Sequence, residues 1–263
     1  MQNKKIILRF KGGIGNQLFI YCFYLYLKSK VKSKILIDKS SAYSKLLNGN
    51  HFNEKFQIDK IDKNLKYSKV PIFFGLKGKF LRFIIKNSKF LQKIFGINYI
   101  RSDNYKNIIK EIRNSNYKNF YIDGYFQSHF LANFGKNFIK KKMNKFRKKI
   151  KNNKIILCYT FYEWENKNDN IKEKIKNIIK KNNEKKILIV SKKPKEFINW
   201  LGNKKLKVSD CNYINDPFKK LSALTNFKKY IINESTFHYW IVKLSKYTSL
   251  KVIGKKSKLF KLL

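Results

Sequence analysis

A strand, a glycine-rich turn, a nearly all-apolar helix and a second strand occupy the first 38 residues, and that order restricts the fold more than any other feature. Residues 4–10 carry the β-type run IILRF, which stops at Lys11-Gly12-Gly13. An apolar helix is predicted over Gln17–Lys28 and a strand over Ser33–Asp38. A β-loop-α-β unit of this kind is the signature of a parallel sheet. Further strands are predicted at Asn119–Asp123, Lys154–Thr160, Lys186–Ser191 and Lys229–Ile232. Helices fall at about Asp169–Lys181, Lys195–Leu201, Pro217–Thr225 and Thr236–Lys246. Strands alternate with helices in both halves, so the expectation is an α/β protein of two doubly wound, Rossmann-like domains, 1–145 and 146–263. The join lies in the Lys- and Asn-rich stretch Lys140–Asn153.

The turn itself points to chemistry. Gly12-Gly13-Ile14-Gly15 between a strand and a helix leaves backbone N–H groups uncovered at a helix N-terminus, where the helix dipole favours an anion. Glycine lets the backbone approach a ligand closely. A plain tight turn explains the same residues equally well. The dinucleotide fingerprint G-x-G-x-x-G does not match, and no Gly-Lys-Ser/Thr follows, so the P-loop is also absent. Asn16 and Gln17 add uncharged donors and acceptors suited to a diphosphate or a sugar hydroxyl.

The formal net charge is +45 over 263 residues. It arises from Lys scattered along the whole chain, with Asn, Ile, Tyr and Phe enriched beside it. That is the residue bias of AT-rich codons rather than a basic tail or stripe. Lys far outnumbers Arg, whose planar fork reads phosphate bidentately, so no nucleic acid is expected as partner. Cys22, Cys158 and Cys211 lie far apart without CxxC spacing and read as core residues, with neither a disulfide framework nor a metal site. No signal peptide is read at MQNKK, and no apolar run reaches the roughly 20 residues of a membrane span. The expected location is the cytoplasm, peripheral to the inner face of the cell membrane. Leu76–Phe95 interleaves apolar residues with cations in a helical pattern. It is either a helix packed on the sheet with a Lys-rich outer face, or a patch lying on an anionic membrane.

Three blocks carry a family resemblance. GGIGNQLF, with Tyr21 two residues on, closely resembles the first motif of the α-1,2-fucosyltransferases, GG-x-GNQ-[ML]-F-x-Y. DGYFQS (Asp123–Ser128) resembles that family's DGYWQS, and ESTFHYW (Glu234–Trp240) resembles its NSTFSWW. They come in the family's order across nearly the whole chain. The resemblance implies a GT-B-like architecture of two Rossmann-like domains facing a cleft. It also implies metal-independent, inverting transfer of a sugar from a nucleotide diphosphate, GDP-fucose by family default, to a hydroxyl of a surface glycan or lipid-linked glycan. No cofactor beyond this nucleotide sugar is implied. On this basis Gly13, Gly15, Asn16, Gln17, Ser191, Lys192, Ser235, Thr236 and Phe237 are the donor-binding candidates. Tyr125, Gln127 and Ser128 are the acceptor-binding ones.

The chain departs from the family in three places. The family's His-x-Arg-Arg-Gly-Asp-Tyr segment corresponds to Cys158–Trp164, where Thr160 or Phe161 stands at the diphosphate-binding Arg and Glu163 stands for Asp. Ser-Asp-Asp becomes Ser191-Lys192-Lys193, and the Asn before Ser-Thr-Phe becomes Glu234. Loss of an Arg on a departing diphosphate is serious for catalysis. Another cation substitutes, or the donor differs, or activity is gone. The catalytic candidates are Asp123 or Glu163 as base for the acceptor hydroxyl, and His238 as a substitute positive charge beside the phosphates. Each has a plainer alternative: Asp123 as a turn former, His238 as a packed residue, and Ser235 and Thr236 as a helix cap, which is compatible with phosphate binding. A non-catalytic relative, a basic membrane-surface scaffold and a nucleic-acid-binding protein are the competing classes.

Overall fold

The structure is a computed structural model that describes residues 4–40, 55–68, 83–146, 155–158, 169–181, 186–190, 194–202, 207–210, 214, 216–253, 258–261 and 263. The chain divides into two compact units, Met1–Ile139 and Lys140–Leu263. Each is described by itself.

The first unit is built on a four-stranded, all-parallel sheet in the order β2-β1-β4-β3. Its strands are β1 (Lys5–Arg9), β2 (Lys34–Asp38), β3 (Ile97–Arg101) and β4 (Asn119–Asp123). Helix α1 (Ile14–Lys30) joins β1 to β2; α2 (residues 83–87) and α3 (Lys89–Ile94) precede β3; α4 (Tyr105–Asn114) joins β3 to β4. Helix α5 (His129–Met143) follows β4 and ends in the second unit. An α-helix apolar all round is a buried helix, and α1 fits that rule: Leu18, Phe19, Ile20, Tyr21, Cys22 and Phe23 are all fully buried. Cys22 abuts Gly135 of α5, where an added Cβ would lie 2.3 Å from the Cys22 sulfur. Burial pushes the Cys22 thiol well up, which makes it an inert core residue.

The second unit carries a five-stranded, all-parallel sheet in the order β7-β6-β5-β8-β9. Its strands are β5 (Ile155–Cys158), β6 (Lys186–Ile189), β7 (Lys207–Asp210), β8 (Lys229–Asn233) and β9 (Ser249–Ile253). They alternate with α6 (Asp169–Lys181), α7 (Pro194–Leu201), α8 (Pro217–Leu224) and α9 (Thr236–Leu244), and α10 (Lys258–Lys261) follows β9. Ile175, Ile179, Ile189, Phe197, Leu201, Ile231 and Ile253 form a core between α6, α7 and one face of this sheet.

Two sequence expectations are corrected by local geometry. Helix α1 begins at Ile14, not Gln17, because Gly13 is extended and caps it. Only Gly12, at φ +71°, takes the left-handed backbone region, so Gly15 lies inside the helix and the turn is shorter than the sequence implied. The amphipathic stretch read over 76–95 is not one helix in its described part: it breaks at Ser88, whose hydroxyl accepts from the Leu91 amide and caps α3. Residues 76–82 lie outside the described residues.

Candidate functional site

In open parallel α/β sheets, ligands bind beyond the carboxyl ends of the strands where the strand order changes direction. In the first unit the chain leaves β1 toward β2 and later fills the other side with β3 and β4, so that point lies between β1 and β4. In the second unit β6 and β7 extend one side of β5 and β8 and β9 the other, which puts it between β5 and β8. GGIGNQ follows β1, DGYFQS follows β4 and Glu234-Ser235-Thr236 follows β8, so all three blocks stand at these positions.

At the β1/β4 end the two blocks touch. Gln127 Nε2 donates to Asn16 Oδ1 at 3.0 Å, across 111 residues of chain. The β4 loop is held in a strained form. Phe126 has φ +52°, a region that costs a non-glycine residue of order 1 kcal/mol. It is kept there by stacking on Phe23, with ring centroids 4.0 Å apart, and by Asp103, whose carboxylate accepts from the Tyr125 and Phe126 amides. Gly124 is required by close approach: a Cβ would sit 2.4 Å from the Ser102 carbonyl oxygen. Ser128 heads α5, its hydroxyl 3.5 Å from the Leu131 amide, and Tyr125 remains exposed beneath Lys11, whose ammonium lies 4.2 Å from the ring centroid.

Asp123 and Gln17 do not have the roles the sequence assigned. Asp123 is buried, and its carboxylate accepts from Arg9 at 2.6 Å, from Lys11 at 2.5 Å and from the Tyr99 hydroxyl at 2.9 Å. Burial alone would raise its pKa, but the two cations outweigh that and hold it down at about 2. A carboxylate so stabilised as an anion is a poor proton acceptor, and it ties Arg9 and Lys11 to β4 instead. Gln17 is fully buried and its amide is committed inside the protein. Its Nε2 donates to the carbonyls of Gly12 and Lys55, and its Oε1 accepts from the Gln57 amide. It braces the glycine turn against residues 55–57.

Arg9, Lys11, Tyr99 and Asp103 are site residues that sequence reasoning missed. One signal was available. In IILRF, Arg9 shares strand parity with Ile7, and a cation on an inward-facing row of a parallel sheet needs a buried partner.

At the β8 end, Ser235 caps α9: its hydroxyl oxygen accepts from the His238 amide at 3.1 Å. Thr236 and Phe237 form the first turn and are half-buried. The positive charge expected of His238 is absent. The ring is fully buried, its Nδ1 lies 3.0 Å from the Asn233 carbonyl, and burial lowers its pKa to about 4 against the smaller opposing pull of that carbonyl. It is a neutral imidazole that donates through Nδ1, with Nε2 unpartnered among the described residues. Glu163, Ser191 and Lys192 lie outside the described residues, as do Thr160, Phe161 and Lys193. Among the described residues no group of three or more His, Cys, Asp or Glu side chains is arranged to hold a metal. A cavity of about 470 Å³ does open in the second unit, but at the opposite end of β8, beside Phe227 and Lys228.

No protein-family model and no curated protein sequence matches the chain. Solved structures do. It is similar to POFUT1 in complex with GDP, at 10% identity and TM-score 0.51 over 97% of this chain and 99% of that one. It is similar to the α-1,6-fucosyltransferase NodZ soaked with GDP-fucose, at 11% identity and TM-score 0.50 over 93% of each chain. A second structure, fucosyltransferase NodZ from Bradyrhizobium, aligns at 10% identity and TM-score 0.50 over 92% of each chain. The shared property is the fold: an α/β protein with parallel sheets, GT-B-like and fucosyltransferase-like.

Proposed function

We propose that this chain is a glycosyltransferase that moves a sugar from a nucleotide-diphosphate donor to a hydroxyl of a surface glycan or lipid-linked glycan, with inversion and without a metal. The observation that carries the reading is the Asn16–Gln127 bond, which joins two distant sequence blocks at the strand-order change of the first sheet. It does so in a fold shared with proteins solved with GDP or GDP-fucose. Fucose or a related sugar is the donor sugar of the reading and α-1,2 the linkage, both supported by the resemblance of the three blocks. In the second unit Ser235, Thr236 and Phe237 are the donor-diphosphate residues of the reading, through the hydroxyls and amides at the start of α9, and in the first unit the donor-binding residues are Gly13, Gly15 and Asn16. Tyr125, Gln127 and Ser128 meet the acceptor. With Asp123 held as a paired anion and His238 neutral, Glu163 is the base that takes the acceptor proton as its oxygen attacks the anomeric carbon and the nucleoside diphosphate departs.

A melting scan against GDP, UDP, CDP and dTDP sugars tests this. A donor at 100 times its dissociation constant stabilises by about 2.7 kcal/mol. The reading expects one base to shift the melt and to be released as the nucleoside diphosphate when acceptor is added. No shift with any of the four sinks it. Glu163→Gln is expected to lower turnover about a hundredfold or more with the melting shift retained. A variant that turns over normally removes Glu163 from the base role.

A further inference from the structure

The stretch that the transferase reading leaves unused is α2 and α3. An amphipathic helix on a sheet is expected to turn its apolar side chains inward. Here the inward positions are taken by Ile85, which packs with Ile7, Leu36, Tyr99 and Tyr121, and by Gln92. The Gln92 amide donates to the Ile85 carbonyl at 2.9 Å and accepts from the Tyr99 amide at 3.3 Å, which satisfies a donor on edge strand β3. The break at Ser88 rotates the rest outward. Phe83 is 63% exposed, Phe90 72%, Ile94 61% and Phe95 43%. Four large apolar side chains within thirteen residues, all in water, is more than the scattered single exposures of an ordinary surface. Lys86, Lys89 and Lys93 stand among them, and no acidic residue occurs between Phe83 and Phe95.

We propose that α2 and α3 form a docking surface for an anionic lipid bilayer, with Phe83, Phe90, Ile94 and Phe95 entering the acyl boundary and Lys86, Lys89 and Lys93 meeting the headgroups. The chemistry is that of an interfacial amphipathic segment: an apolar ridge flanked by cations. Nucleic acid fits less well, because binding there uses a basic groove with rings that stack on bases, whereas Ile94 is aliphatic and the apolar side chains stand on a ridge of helices. The proposal does not rest on the transferase reading and holds or fails without a donor.

The net charge of the chain makes simple adhesion to anionic vesicles a poor test alone, so the experiment separates insertion from Coulomb attraction. The full chain is mixed with vesicles of phosphatidylcholine, or of phosphatidylcholine with about one-third phosphatidylglycerol, at about 0.1 M and about 0.5 M NaCl, and sedimented. Binding is expected to the mixed vesicles only, with a part that survives the higher salt. The double variant Phe90→Ser/Ile94→Ser is expected to lose that part and to bind about tenfold more weakly, with its melting temperature unchanged because both side chains are exposed. Changing Lys106, Lys110 and Lys141 to Gln elsewhere on the surface serves as the charge control and is expected to leave the salt-resistant part in place. In a Phe90→Trp variant, bilayers of brominated lipid are expected to quench the added indole relative to the parent chain. Equal binding by the double variant, or an added indole left unquenched on bound protein, overturns the proposal. So does protection of α2 and α3 by an RNA oligomer or a protein in place of vesicles.

Discussion

The two sheets end in different chemistries. Beyond β1 and β4 lies a charged cluster in which Arg9 and Lys11 answer Asp123, Tyr99 shares its carboxylate, and Tyr121 donates to Asp38. Beyond β8, directly after Glu234, lies a helix start with Ser235 as cap, a neutral His238 beneath it, and no partner among the described residues for the Thr236 and Phe237 amides. In the first unit most polar groups are committed to holding two loops in register, and few remain for a ligand. In the second, free backbone amides at the helix start stand beside the polar side chains of Glu234, Ser235 and Thr236. A strand end rich in ionisable residues can hold its carboxylate as a paired anion, while another leaves backbone amides free at a helix start.

The sharpest way to break the contrast is to remove its anion. Asp123→Ala strands two largely buried cations, and a loss of about 3 kcal/mol or more in urea unfolding is expected, confined to the first unit. A loss within 1 kcal/mol would mean that the cluster is ornamental.

Acid should separate the units next. His238 binds its proton at about 4 in the folded chain and near 6.5 when unfolded, so the unfolded state holds the extra proton between these values. Stability in the second unit is therefore complete above about pH 6.5 and falls by about 3 kcal/mol as the pH drops toward 4. For Asp123 the folded value is about 2 against an ordinary 3.8. Its contribution of about 2 kcal/mol is complete above that ordinary value and lost only as the pH falls toward 2. Unfolding at pH 7, 5.5 and 4.5, repeated with His238→Gln, should show a slope that the variant flattens. An identical slope in the variant removes His238 as its source.

Gln17→Ala gives up three hydrogen bonds and leaves the Gln57 amide short of its partner, at a cost of about 2 kcal/mol. Ser235→Ala removes one cap at about 1 kcal/mol but should cut the donor-induced melting shift. Smallest in stability is Gln127→Ala, within about 0.5 kcal/mol because its bond to Asn16 is exposed. Its effect should fall on turnover instead. A Gln127→Ala enzyme with unchanged kinetics would detach the β4 loop from the site.

Much of the fold could be read from the chain. β1, β4, β5, β6 and β8 lie inside their sheets with a neighbour on each side and carry largely apolar runs, and the edge strand β2, KILID, carries one too, so all six could be read. The strands that escaped notice, β3, β7 and β9, are sheet edges with mixed runs such as INYIR, KVSD and SLKVI. Such runs lack that signature. The site was half legible. The glycine turn is a local device, visible within a few residues, whereas DGYFQS and ESTFHYW stood out through the family resemblance. The roles of Asp123 and Gln17 were misassigned because the partners that decide them stand far away in the chain: Arg9 and Lys11 lie 114 and 112 residues from Asp123, and Gln57 lies 40 from Gln17.

By itself the sequence determined that this chain alternates strands and helices into parallel sheets, and where three polar blocks punctuate them, because periodicity and turn chemistry act over short separations. Which of those polar groups carry charge, which are free to meet a ligand, and which way Phe90 and Ile94 face were decided only in the tertiary structure. Burial and pairing set these properties, and both are made by segments that meet only when the chain is folded.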